Sequence, residues 1–429
     1  MNDLKRVDNY MAEIELVKYY EKNRTKIIAE CSKCGLCLQD CSLKGHILKD
    51  LLPFEAQDKV LTFLKEGKQD DLVYEKGFSC LQCFKCVNNC PQGLNPLLVN
   101  ELIKWDYRRK NIKKLPYNDP EDIKTPQRVL ASIQLSKEDY QKIFHKSEKK
   151  KTKYVFFPGC NVYYQPEKIL STIDILGLIT DECAFHPGLD NCCGRVQLFN
   201  GDIPRAQEVM EELLVELSAY QPETVIVWCP TCLCNFETTI SKVIDLPFQV
   251  VSVAQFIADN MDKLELKNSI NKKVTLHEAC KSSFLGLDVH GIRELLQRLP
   301  GVNLVEMKRH GENTVCCGLG AQNYSKETMD IMKNDRLKEA AETNAQILVD
   351  VCHACHKLFL QAEHNYSYDI INYISLLAYA LGIERKDKFK EYIKLNDLNS
   401  ILDDAASCIN VSPYSKEKIQ KVIEENILK

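Results

Sequence analysis

The sequence predicts a helical N-terminal domain, then a duplicated α/β domain, and finally a helical C-terminal extension. The first 112 residues carry hardly any strand signal, whereas short β-branched strands alternate with amphipathic helices from residue 151 onwards. The alternating part repeats itself, because Cys280 follows Cys160 by 120 residues and Cys316 follows Cys192 by 124. Such internal periodicity indicates two copies of one structural unit. The predicted segments are an N-terminal domain at 1–112, a linker at 113–150, two repeats at 151–265 and 266–390, and the extension at 391–429.

Three helices are predicted in the N-terminal domain. Residues 1–30 carry apolar side chains at helical spacing among lysines and glutamates, and Pro53–Glu66 has the same character. Asn95 is a candidate N-cap with proline after it, so a third helix should run to about Lys110.

The segment 113–150 has the composition of an inter-domain linker. It is rich in prolines and charges, and it ends in a lysine run from Lys146 to Lys153. One short helix is expected in it, at Ser136–Phe144. Such a run is typical of a solvated charged face, and docking of an acidic partner is the alternative.

Each repeat is predicted to contain a strand, a helix and a second strand in the same order. The predicted strands are 154–157 and 224–228 in the first repeat and 274–276 and 347–351 in the second, and the predicted helices are 203–219 and 325–343. Cysteines follow the C-terminal end of each strand. Open α/β sheets place their functional sites there.

The bulk composition excludes several classes of protein. Charged residues make up 27% of the chain but the net charge is only −4, which gives no reason to expect a nucleic-acid partner. Met1 to Lys18 lacks the apolar core of a secretory signal. The longest apolar stretch, around Ile374–Ile383, is much shorter than the ~20 residues that cross a bilayer. We therefore expect a cytoplasmic protein that reaches the inner face of a membrane only through a partner.

Cysteine is unusually abundant, with 21 residues. An odd number of cysteines in a large chain without an export signal favours thiolates that bind metal in a reducing compartment, and not disulfides. Unrelated buried cysteines are the alternative, since a free cysteine packs like a small hydrophobic residue. Nearly all of the cysteines fall into four ordered sets, which argues against that alternative.

The first two sets share the spacing Cys-x2-Cys-x2-Cys-x3-Cys. They comprise Cys31, Cys34, Cys37 and Cys41, and then Cys80, Cys83, Cys86 and Cys90. In bacterial two-cluster ferredoxins the first three cysteines of such a run bind one [4Fe–4S] cluster and the fourth binds the other cluster. The predicted ligand sets are therefore Cys31, Cys34, Cys37 and Cys90 for one cubane, and Cys80, Cys83, Cys86 and Cys41 for the other.

Structural zinc is the alternative for these two sets. Zinc sites use pairs of Cys-x2-Cys separated by a longer stretch, which differs from four cysteines within eleven residues. Ser42 stands after Cys41 where proline is usual. That residue shapes only the exit from the loop, so the ligand prediction is unaffected.

The other two sets each contain five cysteines, with an adjacent pair followed by glycine. They are Cys160, Cys192, Cys193, Cys229 and Cys232 in the first repeat, and Cys280, Cys316, Cys317, Cys352 and Cys355 in the second. Adjacent cysteines do not easily fill two corners of a regular cubane, because their side chains diverge. A thioredoxin-like dithiol is the alternative for the two Cys-x2-Cys pairs, but such a dithiol does not need the adjacent pair upstream.

These five-cysteine sets resemble the cysteine-rich CCG domain. The duplicated form is similar to the catalytic, B-type component of heterodisulfide reductase, and with a ferredoxin-type domain in front the chain resembles the fused, D-type component of that enzyme over about residues 25 to 385. It is also similar to the iron–sulfur subunits of glycolate oxidase, lactate-utilisation and glycerol-3-phosphate dehydrogenase systems. The resemblance implies that all five cysteines of each set bind a noncubane [4Fe–4S] cluster. It also implies that these ten cysteines are catalytic, with a disulfide held between the two clusters and cleaved by one electron from each.

Two local sequences depart from the family pattern. Gly318-Leu319-Gly320-Ala321 is not the usual glycine-rich run, and His277-Glu278-Ala279-Cys280 lacks the usual Asp-Pro before the cysteine.

Two functions follow as hypotheses. In the first, electrons pass through the two cubanes to the two CCG sites, which reduce a disulfide. In the second, the chain relays electrons from a flavoprotein that oxidises a 2-hydroxy acid or glycerol 3-phosphate to a quinone or another carrier. The sequence has no dinucleotide-binding or phosphate-binding loop, so flavin or nicotinamide should lie on a partner, either a flavoprotein or a membrane cytochrome.

A few residues near the cysteine sets are secondary candidates. Cys183, Cys234 and Cys408 lie outside the sets and are expected to be buried free thiols, with Cys234 the best candidate for an accessory contact. Reduction of a disulfide needs protons, and histidine titrates near neutral pH. The histidines near cluster cysteines could donate a proton or hydrogen bond to a cluster sulfur, and they are His186, His277, His310, His353 and His356.

Overall fold

The computed structural model describes residues 14–111, 120–322 and 324–428. Residues 14–111, as described, contain seven helices and no strand. They are α1 (Leu16–Glu30), α2 (Leu36–Gln39), α3 (Lys44–Leu48), α4 (Pro53–Glu66), α5 (Asp71–Phe78), α6 (Lys85–Asn88) and α7 (Pro96–Arg109). The prediction of helix over residues 1–30 is confirmed from Leu16, and residues 1–13 lie outside the described part of the chain.

Local capping explains where α4 and α7 begin and where α4 ends. Proline is the first residue of both α4 and α7, where its missing N–H is harmless. The Asn95 side chain accepts a hydrogen bond from the Leu97 N–H at 3.0 Å, as predicted for an N-cap. Gly67 ends α4 with φ +71°, a conformation that favours glycine.

The segment expected to be a linker with one short helix contains two helices in its described part. They are α8 (Pro120–Gln134) and α9 (Lys137–Phe144). The proline-rich composition favoured a linker, whereas Pro120 is the first residue of α8 and Pro126 lies inside it. Val129, Leu130 and Ile133 are fully buried, so this helix packs as part of the core.

The predicted α/β architecture of the repeats is confirmed as two separate four-stranded parallel sheets. In the first repeat the strands β1 to β4 are Tyr154–Phe157, Cys183–Phe185, Thr224–Val227 and Gln249–Ser252. In the second repeat β5 to β8 are Lys272–His277, Val302–Val305, Ile347–Asp350 and Asp369–Asn372. The spatial orders are β2-β1-β3-β4 and β6-β5-β7-β8, which makes the two sheets topologically identical.

Helices connect the parallel strands, as such crossovers require. The first repeat contains α10 (Glu167–Ile179), α11 (Arg195–Phe199), α12 (Ile203–Ser218), α13 (Pro230–Thr238) and α14 (Val253–Ala258). The second contains α15 (Cys280–Ser283), α16 (Val289–Arg298), α17 (Lys326–Glu342), α18 (His353–Leu360) and α19 (Tyr373–Ala380).

The C-terminal residues are helical, as predicted, and they pack against α8. They form α20 (Lys388–Leu395), α21 (Leu398–Asp404), α22 (Ala406–Ile409) and α23 (Lys416–Asn426). The Tyr392 hydroxyl donates to the Ile133 carbonyl at 3.0 Å, and Ser412 hydrogen bonds to Ser132 at 2.8 Å. Within the described ranges, the structure has no helix that is both long and apolar enough to cross a bilayer.

Candidate functional site

The eight N-terminal cysteines face two neighbouring cavities. One is lined by Cys31, Cys34, Cys37 and Cys90, and the other by Cys37, Cys41, Cys80, Cys83 and Cys86. The two cysteine loops share one backbone conformation, with positive φ at Lys33 and Gly35 in the first and at Gln82 and Phe84 in the second. A Cβ on Gly35 would lie 2.4 Å from the carbonyl carbon of Pro53, so glycine lets this loop pack against α4.

Hydrogen-bond donors surround these thiols. The Asn100 amide donates to Cys80 Sγ at 3.1 Å, and Lys76 Nζ, itself buried, donates to Asn100 Oδ1 at 2.5 Å. The backbone N–H of Gln82 also points at Cys80 Sγ, at 3.4 Å. Donors of this kind stabilise thiolate charge.

Burial raises the pKa of Cys37 to about 11, and it raises the pKa of Cys86 well above its usual range. The charges of the neighbouring cysteines add to that effect in both cases. Four clustered thiols of this kind become thiolates only if a cation replaces their protons. The donor chemistry therefore fits an iron–sulfur group.

The first repeat gathers its five cysteines at the C-terminal edge of its sheet. Cys160 follows β1, Cys192 and Cys193 precede α11, and Cys229 and Cys232 flank the first turn of α13. Their thiols form one chain of contacts, from Cys160 to Cys192, Cys193, Cys232 and Cys229 in turn.

Gly159 makes this gathering possible. Its φ is +76°, and a Cβ there would lie 2.7 Å from the Cβ of Cys229 and 3.1 Å from Cys232 Sγ. Any side chain at this position would collide with the thiol set.

The second repeat builds the same arrangement. Its thiols contact one another in the order Cys280, Cys316, Cys317, Cys355 and Cys352. Gly318, after the adjacent pair, has φ +97°, and the matching Gly194 in the first repeat has φ +82°. Two five-thiol sets of equal connectivity are therefore present.

A cavity of about 330 Å³ lies between the repeats. All five cysteines of the second set line it, whereas the described first-repeat residues that line it include no cysteine. The first repeat contributes Asn161, Tyr164, Arg195, Val196, Phe199, Pro230 and Thr231 instead. The N-terminal domain contributes Leu81 and Gln82, so the second cysteine loop of that domain also reaches this cavity.

The wall of the cavity is cationic. Lys281, Lys357 and Arg195 line it, and no Asp or Glu is among its described lining residues. Lys357 Nζ lies 4.2 Å from the centre of the Tyr164 ring, and burial lowers the pKa of this lysine to about 8. Arg195 forms an ion pair with Glu101, in which a guanidinium nitrogen lies 2.5 Å from Glu101 Oε1. An anionic ligand would find favourable charge here.

The comparison with protein families agrees with this architecture. The family model for the cysteine-rich domain (CCG) matches residues 154–237 and 274–359, which contain the two thiol sets.

Several curated proteins are similar to large parts of the chain. The D subunit of dihydromethanophenazine:CoB–CoM heterodisulfide reductase from Methanosarcina mazei is 28% identical over 85% of this chain and 98% of its own length. The B subunit of fumarate reductase (CoM/CoB) from Methanothermobacter marburgensis is 23% identical over 85% of this chain and 74% of its own length. Lactate utilization protein A 1 of Bacillus mycoides is 24% identical over 46% of this chain and 82% of its own length.

The chain is an iron–sulfur oxidoreductase component similar to the D subunit of heterodisulfide reductase. Both α/β repeats of this oxidoreductase component match the cysteine-rich domain family.

The cysteines outside the four sets contact none of the cavities described above. Cys234 is fully buried on α13, where its electrostatic neighbours include Cys229 and Lys281. Cys183 lies on β2 and Cys408 on α22, and both are partly buried.

The five candidate histidines differ in their surroundings. Three of them bond away from the thiol sets: His186 to Asn191 Oδ1 at 3.1 Å, His310 to the Met307 carbonyl at 2.7 Å, and His356 to both Asp350 and Asp387. His353 lines the cavity, and burial lowers its pKa to about 3. A ring nitrogen of His277 and the sulfurs of Cys317 and Cys355 lie within 4.8 Å of one another.

Sequence reasoning missed several polar residues at these sites. Lys281 directly follows a cysteine of the second set, so its position was available as a signal. Arg336, Asn100 and Lys357 lie on helices at least two residues from the nearest set cysteine, and no motif marks them.

Proposed function

We propose that the chain carries electrons through two cubane [4Fe–4S] clusters to noncubane clusters in the two cysteine-rich repeats, and that a disulfide is reduced in the cavity between them. The single observation that carries this proposal is the cationic cavity, into which all five thiols of the second set open. When bound, the clusters would supply the single-electron chemistry, and the protein would position the substrate beside them.

The proposed cubane ligands are Cys31, Cys34, Cys37 and Cys90 for the first cluster, and Cys80, Cys83, Cys86 and Cys41 for the second. Two observations support this crossed assignment. Cys90 shares its cavity with the first loop, and Cys41 shares its cavity with the second. The thiol of Cys37 also interacts electrostatically with Cys31, Cys34 and Cys90.

The proposed noncubane ligands are Cys160, Cys192, Cys193, Cys229 and Cys232 in the first repeat, and Cys280, Cys316, Cys317, Cys352 and Cys355 in the second. The equal chains of thiol contacts support both sets. The positive φ at Gly194 and Gly318 also supports them, because it lets the backbone turn tightly after each adjacent pair.

The order of the sites supports a direction for the electrons. Cys34 is exposed, and the exposed side chains of Leu52 and Phe54 flank the start of α4 beside its loop. This face would receive a flavoprotein or a membrane cytochrome. Cys83 interacts with Cys316, so the second cubane would pass electrons to the second repeat.

The walls of the cavity indicate what kind of disulfide would bind. Lys281 and Lys357 would hold a carboxylate, sulfonate or phosphate group of the substrate, and Phe199, Val196 and Leu319 would pack against its apolar part. The chain would thus orient an anionic disulfide with its sulfur atoms toward the second thiol set.

The test is anaerobic purification followed by iron and sulfide analysis and EPR spectroscopy. About sixteen iron atoms per chain are expected, since each of four clusters holds four. Addition of an anionic disulfide should produce a new paramagnetic signal, and a neutral disulfide should produce less of it. Zinc without acid-labile sulfide would contradict the cluster assignment.

A relay function is the second candidate, and one observation favours it. The first thiol set does not line the cavity, so only one of the two repeats presents sulfur to a bound molecule. A relay needs no substrate between two clusters. Co-purification with a hydroxy-acid-oxidising flavoprotein, together with no EPR response to any disulfide, would support the relay.

A further inference from the structure

His277 is the last residue of β5 and is completely buried. Its Nδ1 accepts a hydrogen bond from Arg336 Nε at 2.9 Å. A guanidinium keeps all of its protons and can only donate. Nδ1 must therefore carry the lone pair, and the ring proton must lie on Nε2.

Arg336 is fixed in the orientation that enforces this tautomer. It lies on α17 with its side chain fully buried, and it donates to the Arg309 carbonyl at 2.8 Å and to Glu339 at 3.2 Å. Its second terminal nitrogen reaches Thr314 Oγ1 at 3.3 Å. Because these contacts hold the guanidinium from three sides, the hydrogen bond to His277 is preorganised.

The protonated nitrogen of His277 has no hydrogen-bond partner in the described part of the protein, although it is buried. An unsatisfied buried donor is unfavourable. Two sulfurs are close to the ring, since a ring nitrogen of His277 and the Sγ atoms of Cys317 and Cys355 lie within 4.8 Å of one another. With Nδ1 engaged by Arg336, Nε2 is the nitrogen that remains available to donate to a sulfur.

This arrangement suits a donor and not a metal ligand. A nitrogen that carries its proton has no lone pair to offer a metal. A ligating histidine usually donates its other N–H to an acceptor, whereas the other nitrogen of His277 accepts from an arginine. His277 therefore does not complete a zinc-like site with the two cysteines.

The first repeat has no N–H donor at the position that matches His277. Phe157 is the last residue of β1 and stands three residues before Cys160, as His277 stands three residues before Cys280. The phenyl ring has no N–H group, so the two thiol sets differ at this matched position. Hydrogen bonds to the sulfurs are among the features that set the reduction potential of an iron–sulfur cluster.

We propose that the His277 N–H donates to a cluster thiolate of the second set and raises the reduction potential there above that of the first set. This inference rests on the proposed function, because it requires a cluster in the second repeat. His277 would be a positioning residue whose N–H stabilises negative charge on the cluster thiolate. Arg336 would keep the ring proton of His277 on Nε2. Electrons arriving from the second cubane would then stay beside the cavity.

The experiment is an EPR-monitored redox titration of the full-length, cluster-loaded protein. His277→Phe copies the first repeat and should shift one set of signals to lower potential while iron content stays unchanged. His277→Gln keeps an N–H and should restore most of the shift. His186→Phe, a buried histidine of the first repeat that bonds to Asn191, is the matched control and should move no signal.

A measurement on the wild-type protein covers the case in which His277→Phe does not fold. With ¹⁵N-labelled histidine, pulsed EPR should detect one weakly coupled nitrogen at the second-repeat cluster, as expected for a hydrogen bond. A strong nitrogen coupling in the wild-type protein, or loss of iron in His277→Phe, would show that His277 is a ligand. If no coupling is detected, or if the potential is unchanged in His277→Phe, the proposed hydrogen bond does not set the potential. If Cys316→Ala eliminates no signal at all, the proposed function itself fails.

Discussion

The two cysteine-rich repeats have the same strand order and the same chain of thiol contacts, but they lie in different surroundings. The five thiols of the second repeat open into the central cavity, whereas those of the first repeat are separated from it by other residues. The common features depend on strand ends and on glycines with positive φ, which any copy must keep to gather five sulfurs. The duplicated scaffold thus preserves how sulfur is gathered and leaves the adjoining residues free to differ.

Two matched positions differ in chemical character. Phe157 in the first repeat corresponds to His277 in the second, and Asn161 corresponds to Lys281. After the adjacent cysteines, the first repeat has Arg195, which pairs with Glu101 on α7. In the second repeat Gly320 lies against the backbone of Leu81, where a Cβ would lie 3.1 Å away. Both repeats approach the backbone of the N-terminal domain closely, since a Cβ on Gly201 of the first repeat would lie 2.6 Å from the carbonyl carbon of Lys104. The first repeat adds a buried ion pair.

The largest effect is expected from serine substitutions in the two adjacent pairs. Cys317→Ser should abolish the EPR signal produced by a disulfide and lower turnover by roughly two orders of magnitude or more, since even residues that only support ligands cost 10–100-fold. Cys193→Ser should also slow turnover, but the disulfide-dependent signal of the second repeat should remain. Cys183→Ser, outside the sets, is the control.

Equal loss of the signal in Cys193→Ser and Cys317→Ser would break the comparison. The two repeats would then act as one unit, with the substrate held by both thiol sets.

The second largest effect is expected where the first repeat meets α7. Glu101 is completely buried, and besides Arg195 it accepts from the Tyr20 hydroxyl at 2.5 Å. Glu101→Gln removes the charge opposite a buried guanidinium, and an uncompensated buried charge costs about 3 kcal/mol. Anaerobic denaturant unfolding should show this loss, and hydrogen exchange should rise mainly in the first repeat. The control Glu425→Gln, at an exposed position, should change neither the unfolding free energy nor the hydrogen exchange. A uniform rise in exchange across both repeats in Glu101→Gln would show that the ion pair does not stabilise the first repeat in particular.

The sequence predicted the core of both repeats because their signal is local. Four strands are apolar and are followed by cysteines, so β1, β3, β5 and β7 were all found. The neighbouring strands β2, β4, β6 and β8 were missed, since no cysteine motif follows them.

The surroundings of the thiol sets could not be predicted from one sequence. The separation of the first set from the cavity depends on how the two sheets and the N-terminal domain pack together. Arg336 acts on His277 across 59 residues of sequence, and Glu101 acts on Arg195 across 94. No periodicity or spacing encodes such pairs, because each is created by tertiary packing.

A smaller effect is expected at the contact between the repeats. Asp288, before α16 in the second repeat, accepts from Ser252 Oγ at the end of β4 in the first, at 2.6 Å. Burial raises the pKa of Asp288 to about 7 from its ordinary 3.8. A raised carboxyl pKa means that the folded state holds the proton more tightly, so this contribution is complete below pH 4 and is lost as pH rises through 7.

Between pH 5 and 7, unfolding free energy should therefore fall by about 2 kcal/mol, at up to 1.4 kcal/mol per pH unit. Asp288→Asn should flatten this dependence, because an amide does not titrate, and the exposed Asp245→Asn should leave it intact. Thermal unfolding under argon at several pH values measures both. An unchanged slope in Asp288→Asn would mean that the repeats do not meet through a protonated carboxyl.

The smallest expected effect comes from making the second repeat like the first at one cationic position. Lys281→Asn introduces the residue that the first repeat has at Asn161. Because no Asp or Glu is among the described lining residues, the lysine charge is available to an anionic ligand. Its loss should raise KM for dithiodipropionate, a dianion, about tenfold, which corresponds to about 1.4 kcal/mol.

The neutral bis(2-hydroxyethyl) disulfide separates charge from shape in this test. Its KM should be unchanged in Lys281→Asn, and the advantage of the dianion in the wild-type protein should shrink as salt is added, since ions screen the lysine charge. Asn161→Lys gives the matched gain of charge across the cavity and should lower KM for the dianion only. If KM rises equally for both disulfides in Lys281→Asn, the lysine shapes the cavity without selecting charge. The two repeats would then differ at this position only in shape.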